Sequence, residues 1–144
     1  MQKKTAIILT IIFAAGIAFL YHMGCGISAF AKVTTGDSSS PHSQADIREA
    51  VSIVRKEFRG FSGCIMTDLH YSEEKTQREL DELHARGFTG LGSDFDDVII
   101  LESDFTTSKL FSSMPFEGCT QRGFEWAITH NEENGWQFKT SGYA

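Results

Sequence analysis

Positive charge is scarce in this sequence, in which 13 Lys and Arg residues stand against 19 Asp and Glu residues for a net charge of −6. Nucleic acids and anionic lipids are bound through clustered basic residues, so this balance argues against both as partners. A cationic partner fits the balance better. Residues 1–31 contain two Lys and no acidic residue, so their removal would bring the net charge to about −8.

The motifs of common metal and phosphate sites are missing as well. The glycine-rich stretch 87–97 contains Asp94, Asp96 and Asp97, but it lacks the spaced oxygen ligands and the terminal Glu of an EF-hand. It also lacks the Lys and the strand-before, helix-after context of a phosphate-binding loop. We therefore expect an acidic surface turn here, and no cofactor.

Long apolar runs are absent except at the N-terminus. Residues 6–21 follow two lysines and form one apolar run, shorter than the roughly 20 residues of a bilayer-spanning helix. Ala29 and Ala31 form an A-x-A cleavage site behind it. The pattern predicts a signal peptide over residues 1–31 and a secreted or cell-envelope, extracytoplasmic location.

Two other fates of the N-terminus stay open. The apolar run could remain as an uncleaved anchor. Alternatively, Cys25 follows a small residue in Met-Gly-Cys-Gly, which makes it a candidate for lipidation, although His22 and Met23 do not fit the usual lipoprotein pattern. Under either alternative the only contact with a membrane is through the N-terminus.

Cysteine is rare, and cleavage after Ala31 would leave only Cys64 and Cys119. In an oxidising exterior an even pair is more often bridged than free, so we predict a disulfide between them, with two unpaired thiols as the alternative.

Residues 32–43 are polar, small and interrupted by proline, which predicts a flexible linker. The remaining residues 44–144 are enough for one α+β domain. Its first helix is predicted to start after a Ser43 cap and to end at Gly60, because an apolar stripe recurs every three or four residues between them.

A strand at residues 64–71, a mostly solvated helix at 73–86 and a strand at 98–105 follow. Alternation puts Cys64, Met66, Asp68 and His70 on one face of the first strand, and leaves open which face is buried. A long loop spans residues 106–122.

The chain closes with a hairpin whose two runs are joined by Asn134-Gly135, the pair that favours a type I′ turn. Phe124, Trp126 and Ile128 alternate in the first run, and Trp136 and Phe138 in the second. Alternating aromatics of this kind pack into a core, so we expect both tryptophans to be core residues and not ligand-stacking ones. The hairpin organises the rest of the fold.

The order of elements predicts two helices covering one face of a four-stranded, mostly antiparallel curved sheet, of which a cystatin-like or NTF2-like roll is the most natural instance. The chain also resembles a group of small secreted or lipid-anchored single-domain proteins of Gram-positive bacteria with no assigned activity. The resemblance is carried by residues 63–75, residues 98–105, Trp126-Ala-Ile, Asn134-Gly-Trp and Gly142-Tyr143. It implies a fold and a compartment but no catalytic residues, and this chain departs from the pattern at Cys119 and His70.

The function that follows is an exported, non-enzymatic domain that binds an extracytoplasmic ligand or protein through its open sheet face and the 106–122 loop. Two alternatives are an NTF2-like enzyme with a carboxylate or His site on the sheet face, and an inhibitor or immunity-type protein.

One candidate site emerges from the strand patterns. Asp68 and His70 share a face of one strand, and Glu102 and Asp104 share a face of another. If the strands are neighbours and the helices cover the opposite side, the four groups converge. They could then hold a divalent metal or raise the pKa of one carboxylate for acid catalysis, or they could simply form a polar sheet face.

Overall fold

The computed structural model describes residues 2–36, 40–107 and 120–143. In chain order the elements are α1 (Gln2–Gly24), β1 (Lys32–Thr34), α2 (Gln44–Phe58), β2 (Cys64–Tyr71), α3 (Glu73–Arg86), β3 (Asp97–Thr107), β4 (Thr120–Asn131) and β5 (Gly135–Gly142). The strands form one open sheet in the order β1-β2-β3-β4-β5, with β1 parallel to β2 and the other pairs antiparallel. The predicted α+β class is confirmed, with five strands instead of four.

Helix α1 is apolar, and its side chains are exposed along most of its length. Within the described residues, no helix combines the length and the hydropathy needed to cross a membrane. Whether this segment is a signal peptide stays a prediction.

Helix α2 covers one side of the sheet, which we call the front face. Ser43 caps the helix as predicted, because its hydroxyl accepts from the Asp46 N–H while the Asp46 carboxylate accepts from the Ser43 N–H. The buried stripe of Ile47, Ala50, Val51, Val54 and Phe58 then packs on inward residues of β2, β3 and β4. This is the main core of the protein.

Helix α3 lies on the opposite side, the back face, so the prediction that both helices cover one face is wrong. Leu80 and Leu83 of α3 pack with Val98, Ile100 and Ala127, whereas Ile99 of β3 belongs to the front core. Neighbouring residues of a strand point to opposite faces, so the two helices sandwich the sheet. The apolar run at the start of β3 allows this, because it buries both of its faces.

The predicted alternation along β2 is also wrong, because a β-bulge interrupts the strand between Met66 and Asp68. The bulge adds one residue, so Met66 before it and Leu69 after it both point into the front core. Asp68 and His70 are therefore on the back face.

The closing hairpin forms as predicted, but its turn differs. Asn131 pairs with Gly135, so residues 132–134 form a three-residue loop. Gly135 has a φ of 69°, and no other residue type has a positive φ among the described residues, which excludes the predicted type I′ turn. The Asn131 side chain accepts from the Asn134 N–H at 2.8 Å and holds this longer loop.

Both tryptophans are packing residues, as expected. Trp126 is fully buried, and its indole N–H donates to the Ser103 hydroxyl at 2.8 Å. Trp136 is partly buried against the front core, and its indole N–H donates to the Asp46 carboxylate at 3.3 Å.

The residues described before α2 pack on the domain at positions 26–34 and at His42, whereas a flexible linker was predicted over residues 32–43. Residues 32–34 form β1, and residues 26–34 together line the outer edge of β2; we call them the edge segment. Three backbone hydrogen bonds of 2.8 to 3.0 Å attach it, from Gly26 N–H to Arg59 O, from Ile27 N–H to Cys64 O, and from Met66 N–H to Ile27 O. Ala31 is buried in the front core. The outer edge of β2 offers backbone hydrogen-bonding groups that an extended chain can pair with. Such pairing depends on the backbone, so the composition of residues 32–43 did not predict it.

Gly26 makes the closest approach in this segment, since a Cβ there would lie 2.0 Å from the Phe58 carbonyl oxygen. We predict that Gly26→Ala lowers the free energy of unfolding by about 1 to 3 kcal/mol, because backbone atoms would have to move apart. Gly24→Ala is the matched control, since nothing lies within 4 Å of its Cβ. Urea unfolding of the three proteins measures the difference, and equal stability of the two variants would show that the edge segment is not packed in this way.

Candidate functional site

The four residues singled out in the sequence do come together on the back face. Asp68 pairs with Asp104, and His70 pairs with Glu102, across the β2–β3 ladder. Their position follows from the β2 bulge. The apolar side chains of α3 pack on the Val98 end of β3, so Asp68, His70 and Asp104 lie beyond this contact. Glu102 lies next to the first turn of the helix.

Two further residues complete the cluster. Glu125 pairs with Glu102 across the β3–β4 ladder, and the Lys75 ammonium, from the first turn of α3, donates to both carboxylates. The Lys75 Nζ lies 2.7 Å from Glu102 Oε1. We call Asp68, His70, Lys75, Glu102, Asp104 and Glu125 the acidic cluster, since its four carboxylates outnumber its basic groups.

His70 lies between two carboxylates. Its Nε2 is 3.3 Å from Glu102 Oε2, and its Nδ1 is 3.5 Å from Asp68 Oδ1. The His70 side chain is 40 % exposed and the Asp68 side chain 34 %, against 17 % for Glu102. The β2 side of the cluster is therefore open to solvent, while its centre is shielded.

At the centre of the cluster, the charged forms of Glu102 and Lys75 are favoured. Burial raises the pKa of Glu102, but the hydrogen bond and charge of Lys75 lower it, and the net pKa lies below its ordinary value. Burial lowers the pKa of Lys75, but its hydrogen bonds with Glu102 and Glu125 bring the net pKa above its ordinary value. The pKa of Glu102 is therefore lowered, whereas the acid catalysis considered from the sequence would need a carboxylate with a raised pKa.

The cluster does not form a metal site. In the described ranges, no group of three or more His, Cys, Asp or Glu residues is placed to hold a metal ion. The Lys75 ammonium occupies the space between Glu102 and Glu125, and Asp104 Oδ1 accepts from the Gly123 N–H at 3.0 Å. Both contacts use carboxylate oxygens that a cation would require.

The predicted disulfide cannot be placed, because Cys119 lies outside the described residues; its partner Cys64 is fully buried in the front core. Cys25 is half-buried and follows the last residue of α1. Ala29 is exposed and Ala31 is buried within the edge segment. The bridge, the cleavage site and the lipidation alternative all stay predictions.

The sequence patterns missed a second cluster around His42. This histidine is buried, with Nε2 2.8 Å from Asp97 Oδ1 and Nδ1 3.3 Å from the Tyr71 hydroxyl. Its ring also packs edge-on against Trp136. Only 4 % of the side chain is exposed, so these contacts attach the residues before α2 to the sheet and leave little access for a substrate. No periodicity marks a single histidine in a polar run, so the pattern gave no signal for it.

Comparison of the chain with protein-family models, curated proteins and solved structures finds no match in any of the three. The resemblance to small exported proteins of Gram-positive bacteria, and the cystatin-like or NTF2-like roll, therefore stay predictions.

The pKa changes define the pH range in which the centre of the cluster stabilises the fold. Because the folded pKa of Glu102 lies below its ordinary 4.5, its contribution is present above that pH and is lost as the pH falls through the folded value. Because the folded pKa of Lys75 lies above 10.5, its contribution is present below that pH and is lost as the pH rises through the folded value.

We predict that Lys75→Met lowers the free energy of unfolding at pH 7 by about 1 to 3 kcal/mol, because two shielded carboxylates lose a charged donor. The difference from the unmodified chain should shrink once the pH is below the folded pKa of Glu102. Lys139→Met is the control, since its partner Asp94 is exposed and remains hydrated. Denaturant unfolding between pH 3 and pH 9 checks this, and a pH-independent loss, or an equal loss for both variants, would contradict it.

Proposed function

We propose that this chain is an exported, non-enzymatic domain that binds a cationic protein partner through the open part of its back face. The observation that carries the proposal is the position of the acidic cluster, which is shielded by the first turn of α3 at its centre but is open to solvent on its β2 side. A sheet face that is not covered by other elements of the fold, and that carries apolar as well as polar side chains, is a common place for a partner to bind.

The charge of this face supports the choice of partner. The acidic cluster has four carboxylates against one lysine and one histidine, and Lys32 of β1 pairs with Asp68 at its outer side. Asp68 and His70 are more exposed than the Glu102, Glu125 and Lys75 side chains. Next to them, Ile65 is 36 % exposed and pairs with Thr106, which adds an apolar contact to a polar rim. Interfaces combine features of this kind, and charge of one sign directs encounter with the other.

The Lys75 contacts show what chemistry the face accommodates. Its ammonium is held between two carboxylates from neighbouring strands at hydrogen-bond distance. Asp68 and Asp104 repeat the arrangement of two acids on neighbouring strands, and the Asp68 side chain is 34 % exposed, against 17 % for Glu102. A Lys or Arg side chain of a partner would find there the same type of carboxylate pair that Lys75 uses.

Photo-cross-linking tests the binding face. A photo-reactive benzoylphenylalanine at Thr106 should capture a partner on the producing cells, and the same group at exposed Glu49 of α2 should not. Asp68→Asn with Asp104→Asn should lower the yield about fivefold at low salt, as expected for two partly exposed charge pairs. Glu132→Gln with Glu133→Gln removes equal charge from the hairpin loop and should change nothing. Equal loss for both pairs of substitutions would contradict the proposed face.

Export and tethering form the second part of the proposal. We infer that processing leaves the edge segment attached to the domain, with Cys25 as the preferred modified residue. Cleavage after Ala31 would remove the Gly26 and Ile27 hydrogen bonds to the domain and the buried Ala31 side chain. Each buried hydrogen bond contributes about 1 kcal/mol, so the loss would be a large part of the stability of a small domain.

Mass spectrometry of the N-terminal peptide from producing cells tests this part. We expect a peptide that contains residues 26–31, either preceded by an acylated Cys25 or continuous with α1. A mature protein that begins at Lys32 would overturn the inference and restore the cleavage site at Ala29 and Ala31. The proposed binding face would still stand, because cleavage after Ala31 removes none of the residues of the acidic cluster.

The enzyme and the inhibitor or immunity alternatives remain predictions from sequence, and no specific contact in the described residues favours either.

A further inference from the structure

A groove of about 510 Å³ lies between the edge segment and helix α2. One wall is formed by residues 26–29, and the other by Ser52, Arg55, Lys56 and Arg59. Three of its side chains are cationic and none is acidic. In a chain with a net charge of −6, this is a local cluster that the composition does not reveal.

Helical spacing separates the charges of α2. At about 100° per residue, Arg55, Arg59 and Ser52 fall in that order within about 60° on one edge of the helix, and Asp46 and Glu57 fall on the opposite edge, with Lys56 and Glu49 between the two edges on the solvent side. The buried stripe occupies the side between the two edges. The groove therefore meets only the basic edge of the helix.

The cations of the groove lack partners. None of Arg55, Lys56 and Arg59 forms an ion pair with any residue in the described part of the chain. The Nε of Arg55 is buried and has no hydrogen-bond acceptor. A guanidinium is charged at every physiological pH, and a buried N–H without an acceptor is unfavourable. The groove thus offers a set of charged hydrogen-bond donors that an anion could accept from.

Interaction with the end of the helix does not account for these side chains. Basic residues often hydrogen-bond the last carbonyl groups of a helix. Here those carbonyls accept from the backbone, since Lys56 O accepts from Arg59 N–H, Phe58 O from Phe61 N–H, and Arg59 O from Gly26 N–H. The three basic side chains are not needed as caps.

The position of the groove indicates which anion is nearby. It begins at Gly26, two residues after the end of α1, and two residues span at most about 7 Å. Side chains of α1 such as Phe13 and Ile12 are 71 % and 62 % exposed. Apolar exposure on this scale favours contact with lipid hydrocarbon, which would place the groove at the depth of the phospholipid headgroups.

We propose that this groove binds the phosphate of anionic phospholipid headgroups through Arg55, Lys56 and Arg59, and so holds the front of the domain against the membrane surface. Arg forms paired hydrogen bonds with phosphate, and Lys adds a point charge. The proposal rests on retention of the edge segment and not on a partner for the back face, which lies on the opposite side of the sheet.

Thermal unfolding of the full chain in neutral dodecyl maltoside micelles tests the site. Phosphatidylglycerol added to the micelles should raise the unfolding midpoint by about 4 °C, because a ligand that binds only the folded state stabilises it. The same amount of phosphatidylcholine should not. Arg55→Gln with Arg59→Gln should remove the rise, and Arg55→Lys with Arg59→Lys should keep most of it.

Arg86→Gln with Arg122→Gln is the matched control, since it removes equal charge from exposed positions away from the groove and should leave the rise intact. No rise with phosphatidylglycerol, or a rise that survives in the Arg55 and Arg59 glutamine variant, overturns the site. If millimolar inorganic phosphate produces the full rise and phosphatidylglycerol adds nothing, the groove binds a soluble phosphate and the lipid assignment is wrong.

Discussion

The burial of Trp126 in the middle of β4 is the interaction on which the rest of the structure depends. Its ring packs against Phe58, Phe61 and Phe124 with centroids 5.3 to 6.2 Å apart, and its N–H is satisfied by Ser103 on the neighbouring strand. So large a side chain requires a cover, which α2 provides. Once Trp126 faces α2, its neighbours Glu125 and Ala127 must face α3. The acidic centre of the back face is thus a direct result of the aromatic core of the front.

Two irregularities in the ladders keep the core continuous. Bulges between Met66 and Asp68 on β2, and between Gln121 and Phe124 on β4, shift the register at the same level of the sheet, on either side of residues 103–105 of β3. Without the β2 bulge, Met66 and Leu69 could not both face the core. The same extra residue sends Asp68 and His70 to the back face, next to Asp104 and Glu102. The proposed binding face therefore arises from the way the core is filled.

The two faces carry opposite local charge although the chain as a whole is acidic. Carboxylates gather on the back face, and the arginines that line the groove at the front edge, beside the end of α1, form no ion pair with any described residue. A domain held at an anionic membrane through its basic edge would present its acidic face away from the lipid. Attachment and partner binding would then use different surfaces, and like-charge repulsion from the membrane would be reduced.

How far the sequence predicted this protein can be judged from particular elements. Features that depend on contacts between residues close in the chain were predicted correctly. These are the Ser43 cap, the apolar stripe of α2, the extent of α3 and the closing hairpin. The four members of the candidate site were also predicted, since strand alternation groups residues two apart. Lys75, Glu125 and His42 were not predicted, because their partners lie 27 to 55 residues away.

The sequence by itself determined the α+β class, the main helices and strands, and the acidic character of the chain. Only the tertiary structure decided that the helices lie on opposite faces, that a bulge reverses the alternation of β2, and that residues 26–34 complete the sheet edge. The physical reason is that these features depend on long-range packing and on the satisfaction of backbone groups across the sheet. The local pattern of a sequence indicates which residues tend to be buried. The packing of the whole core determines which element each of them is buried against.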